Sequence, residues 1–509
     1  MGSSFNWIRR RGTARIIPVA VTALAWLLTA SLVWPQDTSQ QPATQQTPTP
    51  ETNPPPPANP TPPSPVNPIG SEEQQNTGEQ PAAPPSDTRP LAGAQELTPS
   101  LPGSGRSYLI PSFSDWTGAD SDAQLIPGHT QYLAATIPVG SLDLRYSGRR
   151  NQFNLDYGGG GVIYPSESSQ DAAFDQLTVS DYYDARRWNF LIMNRASYLP
   201  QASFGFGGFG YAGTFNTAES LGLGSGVTQM SQTFVPGQSL LFGRTATTTD
   251  NAVVQAQYFL TSRTSVTGVA SYGIQHYAQA ALLSGNNRLF VGSIDHQLSG
   301  TDTVSAAYDL VEYRFNGGSV AINDNVFQLG YAHRVTSRIT ATVLGGPAVI
   351  YSAFAGINGS QHQWTWQLNA LVAYRAERGS LSLSYLHYAT PGSGVFEGAQ
   401  TQTVNGSFSR DITRTWTGTL SLSYARTSAI GTYSLPTAAP SASGLSPFNY
   451  EVGTLRLSRP IGHFVRFFAV YALEHQRAPA GVVPGLIGNE IFRQIFGIGF
   501  ELHPRPLAL

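Results

Sequence analysis

The sequence predicts an all-β fold: a single transmembrane antiparallel β-barrel of 16–18 strands, preceded by a disordered Pro-rich linker. Three observations predict it. From about residue 106 onward, segment after segment alternates polar and apolar side chains, the period of a strand whose two faces meet different surroundings. Tight turns and long connections alternate between those segments, as when short turns lie on one side of a membrane and long loops on the other. Charged residues make up only 12% of the 509. That is about half the usual share, and it suits a surface that faces lipid.

Composition excludes several function classes. All 29 basic residues are Arg and the net charge is -2, so no basic footprint points to nucleic acid. The chain has no Cys, which removes disulfides, thiol catalysis, Cys-held metals and a lipoprotein anchor together.

Residues 1–35 read as a secretory signal peptide. Arg9, Arg10, Arg11 and Arg15 precede a mostly apolar run from Ile16 to Val33, the order of a signal's basic and apolar regions. The small residues Thr29 to Ser31 offer a cleavage site, and an uncleaved membrane helix is the alternative. Residues 36–105 form the linker, expected in the periplasm. Eighteen of the 36 prolines fall between Pro42 and Pro102. Such a stretch buries too little apolar surface to fold, and Pro keeps it extended. It is read as a spacer or as a tether that touches peptidoglycan.

Residues 106–509 are the barrel. In Trp416–Tyr424, Trp416, Gly418, Leu420, Leu422 and Tyr424 share one face, and Thr417, Thr419, Ser421 and Ser423 the other. Leu142, Leu144 and Tyr146 oppose Asp143, Arg145 and Ser147 in the same way. In Val465–Glu474 one stripe is apolar, while Arg466 and Glu474 share the other face with Phe468, Val470 and Ala472. Tight turns are expected at Gly148–Arg150, Asp184–Arg186, Thr261–Thr264, Ser299–Asp302, Thr336–Arg338, Ala376–Gly379, Asp411–Arg414 and Pro460–His463. Eight such turns imply 16 strands of about 9 to 12 residues. The terminal strand Ile491–Leu502 and a first strand at Ser107–Trp116 bring the count to 18. The longest connection, Leu199–Asp250, joins the fifth strand to the sixth. It is read either as an inward-folding constriction or as an exposed loop. Tyr331, Tyr351, Trp364, Tyr374, Tyr388, Trp416 and Tyr424 lie toward strand ends, where aromatic girdles form. Asn316–Gly318 and Asn323–Asn325 are read as turns.

The terminal segment Gly497-Ile498-Gly499-Phe500-Glu501-Leu502 resembles the C-terminal signal by which the barrel-assembly machinery recognises outer-membrane proteins. Ile495 stands where a polar residue is usual, and seven residues follow in place of a terminal aromatic. The region from 106 to 509 is similar to the broad porin-like class of Gram-negative outer-membrane barrels. Gly394–Ala399 with the hairpin Gln400–Arg426 carries the same likeness. The resemblance implies a multi-pass protein of the cell outer membrane, with outer-membrane lipid and the assembly machinery as partners and a homotrimer as one assembly. A transporter with a folded plug would need a folded domain ahead of the barrel, which the linker cannot supply. A soluble sandwich or propeller would alternate too, but without the loop asymmetry or the terminal signal.

Pore-lining candidates follow from strand parity: Asp143, Arg145, Asp156, Asp295, Asp309, Arg456, Arg466, Glu474 and Glu501. Opposed Arg and carboxylate groups set a transverse field that tunes ion selectivity, or else pair and fill the lumen. His387 lies three residues after Ser384, on the opposite face of one strand, so the two cannot act as nucleophile and base. No enzyme activity, cofactor or metal is expected. The function expected is passive diffusion of small hydrophilic solutes or ions; the alternative is a non-transporting anchor, adhesin or export-complex component.

Overall fold

The computed structural model describes residues 107–126, 128, 130–199, 246–278, 282–315, 320–354, 360–390, 396, 398–430, 447–477, 490–502 and 504–508. The signal peptide, the linker and the interior of the 199–250 connection lie outside the described residues.

The strands begin with β1 (Tyr108–Asp120), β2 (Leu133–Ser147), β3 (Asn151–Val162), β4 (Ala172–Ala185), β5 (Trp188–Leu199) and β6 (Thr247–Phe259). They continue with β7 (Thr264–Tyr277), β8 (Gly285–Gln297), β9 (Asp302–Phe315), β10 (Val320–Thr336), β11 (Ile339–Phe354) and β12 (Ser360–Ala376). β13 (Gly379–Thr390), β14 (Ala399–Asp411), β15 (Thr417–Ala429), β16 (Phe448–Pro460), β17 (Val465–Arg477) and β18 (Glu490–Leu502) complete the wall. Each pairs antiparallel with the next. β1 also pairs with β18, from Phe113↔Leu502 to Asp120↔Ile495. That pairing closes an 18-strand barrel and leaves no sheet edge exposed. The two-residue β19 (Leu507–Ala508) pairs with Tyr108 and Leu109. The tail after the terminal strand therefore continues the seam.

All eight expected tight turns fall between consecutive strands, and the connection 199–250 joins β5 to β6. At Pro460–His463, Gly462 has φ +83°, a conformation that side-chain-bearing residues rarely adopt. Strands run from 12 to 17 residues, longer than the expected 9 to 12. A tilted crossing needs only about 9–11 residues; pairing simply continues beyond the hydrocarbon layer. The first strand likewise extends past Trp116 to Asp120. Asn323–Asn325 lies inside β10 and is not a turn: Asp324 is buried and accepts a hydrogen bond from Gln367 Nε2 at 2.6 Å.

Two faces follow from the alternation. On β7, Ser265, Thr267, Ser271 and Gln275 are buried, while Val266, Tyr272 and Ile274 are exposed. The exposed face is the outer wall, and it is apolar: Phe290, Leu329, Trp364, Val372, Leu422 and Ile498 all lie open on it. Tyr331, Tyr351, Tyr374 and Tyr424 also stand on this wall, whereas Tyr388 is buried on the inner one. Parity sends Tyr388 inward, against the girdle expectation.

The inner wall is not uniformly polar. Trp116, Ile137, Val139, Phe174, Phe468 and Ile495 belong to one buried apolar cluster. This explains why β17 and β18 alternate imperfectly and why Ile495 replaces the usual polar residue. Trp116 lies across the seam on the backbone of β18. A Cβ at Gly497 would collide with its ring, and one at Gly499 with its Cβ. Gly497 makes the room that this indole occupies, and Gly499 leaves room for the Trp116 Cβ and the Asp115 carbonyl.

Candidate functional site

A large apolar outer wall around a polar interior is the reverse of a water-soluble protein. Among the described residues no helix is long and apolar enough to cross a membrane; the strands make the crossing. The chain is an outer-membrane β-barrel.

The nine candidate residues all carry the parity of the inner wall, but they do not form a single ring. At the end near the tight turns, Glu501 accepts a hydrogen bond from Arg456 at 3.0 Å and lies 3.7 Å from Arg466. The Arg456 guanidinium stands 4.4 Å from the Phe468 ring centre, a cation–π contact. On β2, Arg145 Nε donates to Asp143 at 3.2 Å. Asp156 sits directly across from Asp143 on β3. Asp295 and Asp309 are buried on β8 and β9.

Glu474 belongs to a second cluster, toward the long-loop end. There Arg493 Nε donates to Asp120 Oδ1 at 2.9 Å, and Nη2 to Asp120 Oδ2 at 2.5 Å. Nη1 reaches Glu474 at 3.4 Å. Tyr164, in the β3–β4 connection, donates its hydroxyl to Asp120 at 2.9 Å, and the Asp122 amide adds a bond at 3.1 Å. The side chains of Arg493, Asp120 and Glu474 are 0% exposed. Charges so far from water require this degree of pairing. Sequence reading missed Asp120 and Arg493. Asp120 falls beyond the end expected for the first strand. Arg493 shares the parity of Glu501, and counting back along β18 would have found it.

One sector of the inner wall is open. On β13, β14 and β15 the inward positions nearest the turns are half-buried, and Ser421 is exposed. In register these form three rows: Ser384–Asn405–Ser423, Ser382–Ser407–Ser421 and Ser380–Ser409–Thr419. Ser382 and Ser407 are hydrogen-bonded at 2.7 Å, and Ser423 donates to Asn405 at 2.6 Å. Above the rows, Thr390, Thr401 and Thr427 are fully buried and linked hydroxyl to hydroxyl. His387 is on the opposite face from Ser384, packed 4.1 Å from Trp366. Among the described residues no three metal-ligating side chains come together.

No protein-family model matches the chain, and no curated protein matches it. Among solved structures it is similar to Acinetobacter baumannii OccAB3, with a TM-score of 0.37, 7% identity, and coverage of 78% of this chain and 99% of that one. Pseudomonas aeruginosa OpdQ gives 0.34 and 8%, covering 79% and 98%. The siderophore receptor PirA from Pseudomonas aeruginosa gives 0.35 and 7%, covering 78% and 80%.

Proposed function

We propose that this barrel is a passive channel for small hydrophilic solutes or ions. The observation that carries the reading is the half-exposed polar wall of β13–β15. A barrel of this strand number encloses a lumen wide enough for water, and that sector offers the water hydroxyls in place of packed side chains. The remaining charged candidates, Asp143, Arg145 and Asp156 among them, line the lumen in this reading, most of them as paired structural groups. On the same reading, β18 engages the barrel-assembly machinery, the linker reaches peptidoglycan, and the barrel associates as a homotrimer.

A second reading is a non-conducting anchor, adhesin or export-complex component. It draws on the packed sector, where an apolar cluster and the Arg493 network fill the inner wall beside the seam. Single-channel recording of the refolded full chain in a planar bilayer separates the two. Stable open steps are expected. A heat-modifiable, folded barrel that never conducts would overturn the channel reading in favour of the anchor.

A further inference from the structure

We infer that the three rows on β13–β15 form a binding surface for uncharged, polyhydroxylated solutes of oligosaccharide type, and that this surface sets the channel's preference. The inference rests on the channel reading and names its substrate class.

Nine neighbouring positions over three consecutive strands carry eight hydroxyl side chains and one amide: Ser380, Ser382 and Ser384 on β13, Asn405, Ser407 and Ser409 on β14, and Thr419, Ser421 and Ser423 on β15. None is charged. The outward positions between them are Gly406 and five exposed apolar side chains, Leu381, Leu383, Phe408, Leu420 and Leu422. The same strands thus hold large apolar groups on one face and the smallest polar groups on the other. Short side chains keep this part of the lumen open. Elsewhere, on β6–β10, inward residues such as Gln257, Thr267, Asp295, Asp309 and Gln328 are buried.

Geometry and chemistry agree on the ligand. Strands lie about 4.8 Å apart and same-face residues about 6.6 Å apart along a strand, so the patch covers roughly 10 by 13 Å. That is the footprint of a short oligosaccharide lying flat. A hydroxyl both donates and accepts, and so does every hydroxyl of a polyol. Such a wall can therefore replace a sugar's hydration water in many orientations. It offers no countercharge to an ionised solute. Charge appears only at the margins: Arg375 and Arg456 flank the lowest row in register, and Asp411 lies beyond it. Arg456 is already engaged by Glu501. Neutral hydrogen bonds exchanged with water bind weakly, and weak, multiple contacts let a solute enter and also leave.

The test uses the full chain in a planar bilayer, with maltotriose as the neutral probe and trigalacturonate as the charged one of similar size. Maltotriose should reduce the current saturably, half-maximally on the order of millimolar. Replacing the central row together, Ser382→Ala, Ser407→Ala and Ser421→Ala, should raise the half-blocking concentration about tenfold, read against the variant's own sugar-free current. Ser407→Thr, which keeps the hydroxyl, should block as wild type does. Heat-modifiable migration in gels checks that each variant is folded. Conductance without saturable block overturns this inference while leaving the channel reading intact. Equal block in the triple variant, or tighter block by trigalacturonate, also overturns it. Absence of any conductance overturns the channel reading, and this inference with it.

Discussion

Arg493 shows how much one buried side chain can hold. It joins β1, β17 and β18 through Asp120 and Glu474, with all three side chains sealed from water. Removing one partner of such a set leaves the others as uncompensated buried charges, which costs about 3–5 kcal/mol. Arg493→Met keeps most of the volume and loses the charge. It should lower stability by that amount in urea unfolding of the barrel in lipid vesicles, and a loss below about 1 kcal/mol would show that the network is dispensable. Sequence alone gave the parity of such residues and not their partners. Asp143, Arg145, Arg456, Arg466, Glu474 and Glu501 all stand on the face that alternation assigns them. Asp120 and Arg493, however, are 373 residues apart and meet only because the first and last strands pair. No local pattern encodes that contact.

At the scale of elements, the strands were legible and the seam only partly so. Period-2 alternation and turn residues place eight hairpins, because each is a local event in which turn chemistry and side-chain parity agree. The terminal motif was readable as a strand, but the reason for its glycines was not. Gly497 leaves room for the Trp116 ring and approaches the β1 backbone less closely, since a side chain there would place its Cβ 3.2 Å from Thr117 O. Gly497→Ala should therefore slow closure of the barrel, seen as accumulation of the form that is not heat-resistant during refolding. Trp116→Ala in the same chain should restore much of the rate, since the clash is with that side chain. At Gly499 the obstacle includes the Asp115 carbonyl at 2.5 Å, so the same rescue should fail there. If Trp116→Ala failed to restore the rate of Gly497→Ala, the indole would not be what that glycine accommodates.

Across the described strands, the inner-wall ion pairs and the open sector are separated. The described ion pairs of the inner wall gather beside the seam, on β1, β2 and β16–β18, and the half-exposed hydroxyl sector lies on β13–β15. A paired Arg and carboxylate present little net charge at a distance, and salt screens the remainder over about 8–10 Å at physiological strength. An aqueous path along the hydroxyl sector should therefore discriminate weakly between cations and anions. The reversal potential in a salt gradient should stay close to zero. Arg466→Ala tests the same separation from the other side. Glu501 keeps its shorter bond to Arg456 when Arg466 is removed, so the selectivity of the variant should match wild type even though an inward Arg has been lost. Strong ion selectivity in wild type, abolished by Arg466→Ala, would mean that water and ions pass beside the seam and not along β13–β15. The packed sector would then be the gate, and the hydroxyl rows would be only a hydrated wall.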